Sequence, residues 1–271
     1  MTDKYAVIGN PIAHSKSPLI HAEFAKQTNQ DISYETVLAP LDGFAATLQD
    51  LINQGFKGAN VTVPFKLEAF GLCATRSSQV SLAGAVNTMI FADFGIIGYN
   101  TDGDGLINDI TDNLKREIKG KRVLLLGAGG AAEGVFQSLL VQHPELLVVA
   151  NRSLDKAEKV VSKSHDKAWQ VVASSFKDLK NQQFDIVINA TSTGLSDIAL
   201  PIPNGIFAKN CLAYDMMYGR ETPFMAQART NGAQVADGLG MLVEQAAEAF
   251  YLWRGVRPET APVLDMIRNL K

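Results

Sequence analysis

The stretch RVLLLGAGGAAE, residues 122–133, decides the fold: an apolar run too short for a helix, a glycine-rich turn, then small residues suited to opening a helix. Strand, tight turn and helix in that order open a dinucleotide-binding βαβ unit. Gly127 permits the turn, Gly129 lets a pyrophosphate approach the backbone, and Ala132 allows the helix to pack closely. The helix N-terminus then faces the phosphates. A glycine pattern alone also occurs in ordinary strand-to-helix turns, so the flanking sequence has to decide.

Downstream, Leu146 to Ala150 reads as the second strand of this lobe, followed by Asn151-Arg152-Ser153 with Lys156 one helical turn on. Folds that select NAD place an acidic residue after this strand for the ribose 2′-OH, whereas arginine accommodates the 2′-phosphate of NADP. No Asp or Glu stands here, so the cationic cluster points to NADP, against the plainer alternative of a solvated loop. Further strands are expected at Val171 to Ala173, Asp185 to Ala190, Cys211 to Asp215 and Gln234 to Ala236, with a helix over Pro223 to Thr230, which makes a doubly wound lobe. The loop Thr191-Ser192-Thr193-Gly194 leaves the C-terminal end of a strand, where ligands bind in such sheets. Asp237 to Met241 leads into the helical pattern LVEQAAEAFYLWRG and a last helix after Pro258, which are expected to return to the first lobe.

Upstream, Lys119-Gly120-Lys121 is a polar break, so the helical pattern from Asp102 through Leu114 reads as the bridge between two lobes. Thr101 with Asp104 reads as a capping signature, and Asp102 suits the positive end of that helix. A calcium loop is excluded because the further oxygen ligands and closing glutamate are missing. The N-terminal part alternates strand and helix: Tyr5 to Ile8, a helix after Ser15-Lys16-Ser17-Pro18, Ser33 to Val37, a helix over Leu41 to Gln54, and Gly58 to Val61. Ser17 is placed at a helix N-cap and Pro18 at the first helical position. Capping leaves Ser15 unexplained, and two hydroxyls beside helix N–H groups equally make a carboxylate receptor. In Thr62-Val63-Pro64-Phe65-Lys66, Pro64 puts Lys66 in the first turn of a helix. A cation there loses about 0.3–1 kcal/mol if exposed, so Lys66 is either a snorkelling surface residue or in chemical use. Ala85 to Phe91 and Ile96 to Tyr99 read as a hairpin whose Asn87 must face solvent or find buried partners.

The chain of 271 residues, 46% hydrophobic, 20% charged and of net charge −3, is long enough for a sizeable core and lacks the basic excess of a nucleic-acid binder. Only Cys73 and Cys211 are present, without a C-x-x-C, so no disulfide framework or zinc site is indicated and a reducing cytoplasm fits. The N-terminal MTDKYAVIGN has no long apolar segment and no stretch reaches about 18 apolar residues, which reads as no export signal and no membrane span. His14, His21, His143 and His165 form no metal-binding i, i+4 pair and read as surface or loop residues, so no metal is expected.

Taken together, NPIAHSKSPLIH, GANVTVPFK, AGAVNT, YNTDGDG, LLGAGGAAEGV, NRS, INATSTG, YDMMY and DGLGMLVEQAA, in this order across Asn10 to Ala247, resemble the shikimate dehydrogenases. The resemblance implies an α/β enzyme of two lobes, interconverting 3-dehydroshikimate and shikimate with NADP. Residues 1–101 and 239–271 would form the substrate domain around a mainly parallel sheet, and 102–238 the Rossmann-like NADP domain. Lys66 and Asp102 would be the catalytic pair. Ser15 and Ser17 would hold the substrate carboxylate, with Asn60, Thr62, Asn87, Tyr218 and Gln245 contacting the carboxylate or ring substituents. Gly127, Ala128, Gly129, Gly130, Ala131, Asn151, Arg152, Lys156, Thr191, Met216 and Gly238 would contact NADP. A soluble cytoplasmic monomer or homodimer without nucleic-acid or membrane partners is implied. Two rivals stay open, a quinate/shikimate dehydrogenase that tolerates NAD and a non-catalytic nucleotide sensor. The chain departs from many relatives in having Leu72-Cys73-Ala74 and Ser77-Ser78 where they carry acids after the lysine, and Thr193 where they carry serine.

Overall fold

The computed structural model describes residues 2–77, 80, 84–164, 170–195 and 198–270. Two compact units result, Met1–Gly105 with Leu242–Lys271, and Leu106–Met241. In chain order the elements are β1 Asp3–Gly9, α1 Ser17–Thr28, β2 Ile32–Leu38, α2 Phe44–Asn53, β3 Phe56–Val61, α3 Lys66–Leu72, β4 Thr75–Arg76, β5 Thr88–Ala92, β6 Gly95–Tyr99 and α4 Asp102–Asn108. A π-helical turn over Asp109–Asn113 follows, then β7 Arg122–Leu126, α5 Gly130–Leu140, β8 Leu146–Asn151, α6 Leu154–Val161, β9 Val171–Ser175, β10 Phe184–Asn189 and β11 Phe207–Asp215. The chain closes with α7 Pro223–Thr230, β12 Gln234–Asp237, α8 Leu239–Arg254 and α9 Ala261–Asn269. The unit boundaries fall inside α4 and α8.

In the second unit six parallel strands run in the order β12-β11-β10-β7-β8-β9. The order reverses between β7 and β10, the switch point at which such sheets bind ligands. The run Val123 to Leu126 is apolar throughout because both faces of β7 are covered. Val123 and Leu125 pack in one core with Ala132, Val135, Phe136 and Leu139 of α5. Leu124 and Leu126 pack in the other with Phe224, Met225 and Ala228 of α7. The expected helix through Leu114 stops being α-helical at Asn108. The π turn there, with Leu114 N–H donating to Asp109 O at 2.9 Å, carries the buried Asp109 carboxylate to the Tyr214 hydroxyl at 2.6 Å.

The first unit holds a mixed sheet in the order β2-β1-β3-β5-β6-β4. β1 pairs in parallel with β2 and β3, whereas β5 runs antiparallel to β3 and β6. One face packs Ala6, Ile8, Ala59 and Val61 against Phe44, Leu48 and Leu51 of α2. That helix starts at Phe44, later than the expected Leu41, because Asp42-Gly43 follow Pro40 in a turn in which Gly43 N–H reaches Pro40 O at 3.0 Å. The C-terminal part of α8 is built into the opposite face: Trp253 stacks on Tyr5 at 4.5 Å and donates its indole N–H to Met89 O at 3.0 Å. Gly58 makes this approach possible, since a Cβ there would lie 2.6 Å from the indole nitrogen. Arg254 pairs with Asp3 beside it.

The histidine expectation is corrected at His21, which lies on α1 and is wholly buried, stacked on Tyr34 at 4.1 Å. Neither ring nitrogen makes a hydrogen bond of good geometry. Burial, opposed in part by the nearby Asn60 amide, lowers its pKa to about 3. His14 and His143 are exposed, and His165 lies outside the described residues, as does Ser78. Burial raises both thiols, Cys73 to about 11 and Cys211 to about 12.

Candidate active site and cofactor loop

Lys66 opens α3, and its backbone O accepts from Val86 N–H at 3.0 Å, which ties the start of that helix to the segment leading into β5. Its ammonium reaches Asp102 Oδ2 at 2.5 Å, with the side chains 22% and 10% exposed respectively. Asp102 begins α4, and its second oxygen accepts from Asn87 Nδ2 at 2.9 Å. The polar Asn87 therefore faces inward and finds its partners: Nδ2 also reaches Thr101 Oγ1 at 3.0 Å and Gln245 Oε1 at 3.4 Å, while Oδ1 accepts from Thr101 N–H at 2.8 Å. It sits just before β5, where the sequence placed it within the strand.

Lys66, Asp102, Asn87 and Gln245 thus form one connected group. Asn60 joins it from β3, donating to Asn87 O at 3.2 Å and Thr88 Oγ1 at 2.9 Å while accepting from Tyr34 OH at 2.7 Å. Those three bonds occupy most of its amide. Burial raises the Tyr34 phenol well above the usual value, with Ser17 opposing.

Two local readings change. Helix α1 begins at Ser17 itself with Lys16 as the N-cap, because Ser15 Oγ accepts the Ser17 N–H at 3.3 Å. Ser15 is thus the hydroxyl with the local backbone role, and Ser17 is buried toward Tyr34. The Thr101 hydroxyl is engaged by Asn87 and Gln245, and Asn100 Oδ1 instead accepts the Asp102 N–H at 3.0 Å. Thr62 is half-buried beside Gly9, where a Cβ would lie 2.5 Å from the Thr62 methyl. Thr88, Thr101 and Asn100 were missed as site residues, and each stands next to a quoted residue in AGAVNT or YNTDGDG.

In the second unit Gly127 opens the turn after β7 at φ +111, a conformation that favours glycine, and a Cβ there would lie 3.1 Å from Ala190 O. Gly129 is the N-cap of α5 and has no side-chain cap. A Cβ at Gly129 or Gly130 would meet nothing within 4 Å, and Gly129 to Ala131 are exposed with Ala128 half-buried. Backbone donors open to solvent at a helix N-terminus fit a pyrophosphate. At the end of β8 Asn151 Nδ2 holds Ser153 O at 3.0 Å. Arg152 and Lys156 are exposed, and neither side chain has a partner among the described residues. Thr191, Met216 and Gly238 follow β10, β11 and β12. Tyr218 also belongs to this unit, half-buried, its phenol raised by burial. Among the described residues no group of three or more His, Cys, Asp or Glu is placed to hold a metal ion, and no helix is long and apolar enough to cross a membrane.

A Rossmann unit with an open glycine loop, in one chain with an α/β unit carrying a lysine–aspartate pair, defines the class: a dinucleotide-dependent oxidoreductase. Family models agree along the sequence, the shikimate dehydrogenase substrate binding domain at residues 7–89, shikimate / quinate 5-dehydrogenase at 109–198 and the shikimate 5′-dehydrogenase C-terminal domain at 238–266. A shikimate dehydrogenase (NADP(+)) of Methylobacillus flagellatus is 58% identical over 267 residues, covering 98% of this chain and 99% of its own. The crystal structure of an Ael1 enzyme from Pseudomonas putida matches with TM-score 0.94 at 45% identity, over 98% of each chain. Shikimate 5-dehydrogenase from Thermus thermophilus, in complex with NADP(H) and shikimate, matches with TM-score 0.87 at 30% identity, over 98% of this chain and 99% of that one. The chain belongs to the shikimate dehydrogenase family.

Proposed function

We propose that this protein catalyses the reversible reduction of 3-dehydroshikimate to shikimate with NADPH. The observation that carries the reading is the Lys66–Asp102 contact of 2.5 Å, partly exposed at the lysine and braced from behind by Asn87. Reduction of a ketone puts negative charge on the former carbonyl oxygen, which needs a proton or a cation close by. Lys66 Nζ supplies either, and Asp102 and Asn87 hold Nζ in place so that little reorganisation accompanies the reaction. When bound, NADPH supplies the hydride. The α5 N-terminus with Gly127 to Ala131 receives its pyrophosphate, and Asn151, Arg152 and Lys156 its 2′-phosphate. Thr191, Met216 and Gly238 complete the cofactor contacts. Ser15 and Ser17 take the substrate carboxylate; Thr62, Asn87, Gln245 and Tyr218 contact the carboxylate or ring substituents, with Asn60 behind them.

In this reading residues 1–101 and 239–271 bind substrate and 102–238 bind NADP, and the protein works in the cytoplasm as a monomer or homodimer. One assay tests it: initial rates with shikimate and with quinate, each against NADP and NAD. Selective turnover of shikimate with NADP is expected. Failure to reduce NADP with shikimate overturns the reading. The family description at residues 109–198 names quinate beside shikimate, so comparable turnover of quinate with NAD would place the protein with the broader enzymes instead.

A further inference from the structure

Two loops leave the second unit's sheet after β10 and β11, and one buried carboxylate joins them. Asp215, the last residue of β11, is 0% exposed. Its Oδ2 accepts from Asn189 Nδ2 at 3.1 Å and Thr222 Oγ1 at 2.5 Å, and its Oδ1 from Met217 N–H at 3.0 Å. Asn189, which ends β10 and is equally buried, uses the other end of its amide on the next loop. Its Oδ1 accepts both the N–H of Thr191 at 3.1 Å and its O–H at 2.7 Å. Since the Thr191 proton is spent there, the Thr193 hydroxyl is the donor in the 2.8 Å contact between them. Asn189 O also accepts from Met216 N–H at 3.0 Å. The loop after β12 is hitched to the same group: Gly238 N–H donates to Met217 O at 2.9 Å, and a Cβ at Gly238 would lie 2.3 Å from Met216 O.

Asp215 makes no ion pair among the described residues. A carboxyl group with only neutral partners is costly to bury, and an apolar residue would fill the same space. What a carboxylate does that no neutral side chain can is accept from three donors at once, here one at the end of β10 and two on the loop from β11 to α7. Asn189 and Met217 adjoin Thr191 and Met216 in the chain, and Met217 O holds the Gly238 N–H. We propose that Asp215, relayed by Asn189, is a positioning residue for the cofactor: it holds the backbone of these loops in the form that takes NADP, without touching it. The proposal rests on the NADP reading above.

The test is the Asp215→Asn variant. Its amide keeps the shape, but in either orientation turns its NH2 toward an N–H, of Asn189 or of Met217. The dissociation constant for NADPH, followed by its fluorescence, should rise by about 5- to 100-fold. The KM for shikimate should stay where it was. The double variant Asn189→Asp/Asp215→Asn exchanges donor and acceptor across the pair and should recover most of the loss. Unchanged NADPH affinity in Asp215→Asn overturns the proposal. So does a parallel loss of NADPH and shikimate affinity, which marks a merely structural role, and so does failure of the double variant to recover binding. If Asp215→Asn shows no cooperative melt, Thr222→Val, which removes one of the three donors, is judged on affinity for the two ligands by the same criteria. Wild-type protein that binds no NADPH would defeat the NADP reading itself, and the control measurement separates that result.

Discussion

Replacing Lys66 by Met keeps the length of the side chain and removes its charge, leaving Asp102 with the single Asn87 bond. Removing one partner of a fully buried pair costs about 3–5 kcal/mol, and an exposed pair contributes about 0–1 kcal/mol. With side chains 22% and 10% exposed, Lys66→Met falls between, at about 1–3 kcal/mol, which lowers Tm by about 3–10 °C for a chain of this size. The effect on rate is expected to be larger. Loss of the group that meets the developing charge should lower kcat by about 10²–10⁴-fold with a smaller change in KM for shikimate. Lys66→Arg then separates two mechanisms, since guanidinium keeps the charge and the donors but gives up no proton. A rate well above that of Lys66→Met means a charged donor, and equal loss means proton transfer. Because the two side chains act as a unit, Lys66→Met/Asp102→Asn should cost less than the sum of its parts. The assay is NADP reduction at saturating shikimate, with Tm measured on the same samples. An undiminished kcat in Lys66→Met refutes the reasoning outright.

Arg152→Ala should weaken NADP by about ten-fold or more and leave NAD little changed; equal weakening of both in parallel titrations counts against the 2′-phosphate contact. Asp104 has its pKa raised to about 6, by burial first and then by Glu248, with Arg257 opposing and Glu244 beside Arg257. A carboxyl raised in the fold contributes stability that is complete below the ordinary value of about 4 and is lost as pH rises through about 6. Asp104→Asn should therefore raise Tm at pH 8 and change it little at pH 4, and melts at the two pH values decide. His21 has the opposite linkage: its ring stays neutral in the fold down to about pH 3, whereas the unfolded chain takes up the proton near 6.5. The stability this contributes drains away as pH falls from about 6.5 toward 3. His21→Phe, which keeps the stacking, should raise Tm at pH 5 relative to wild type more than at pH 8, and no pH dependence in the difference would sink the assignment.

Much of this was legible in order along the chain. The run 122–133 carries its fold because a strand buried on both faces must be apolar throughout, and because only glycine tolerates the φ of +111 at Gly127. Both are local demands that side-chain type alone reveals. The ordered motifs likewise placed Lys66 and Asp102 as a pair, 36 positions apart, and the structure joins them. Local rules failed where a polar side chain had a choice of partners. Ser17 and Thr101 have the chemistry of caps, yet Ser15 serves the N–H at Ser17 and Asn87 claims the hydroxyl of Thr101. His21 carries no mark of burial in its neighbours along the chain, because Tyr34, Phe250 and Trp253 reach it from distant segments. Asp215 and Asn189 sit in two of those motifs without a stated role, since the bond that joins them spans 26 positions between the ends of two strands.

The sequence by itself therefore determined most of the elements and the class of cofactor, which follow from residue type and spacing. Only the tertiary structure decided which hydrogen bond each buried polar group makes. That choice depends on distance and angle to groups far away in the chain, and in a water-poor interior an unmade bond is too costly to leave to local preference.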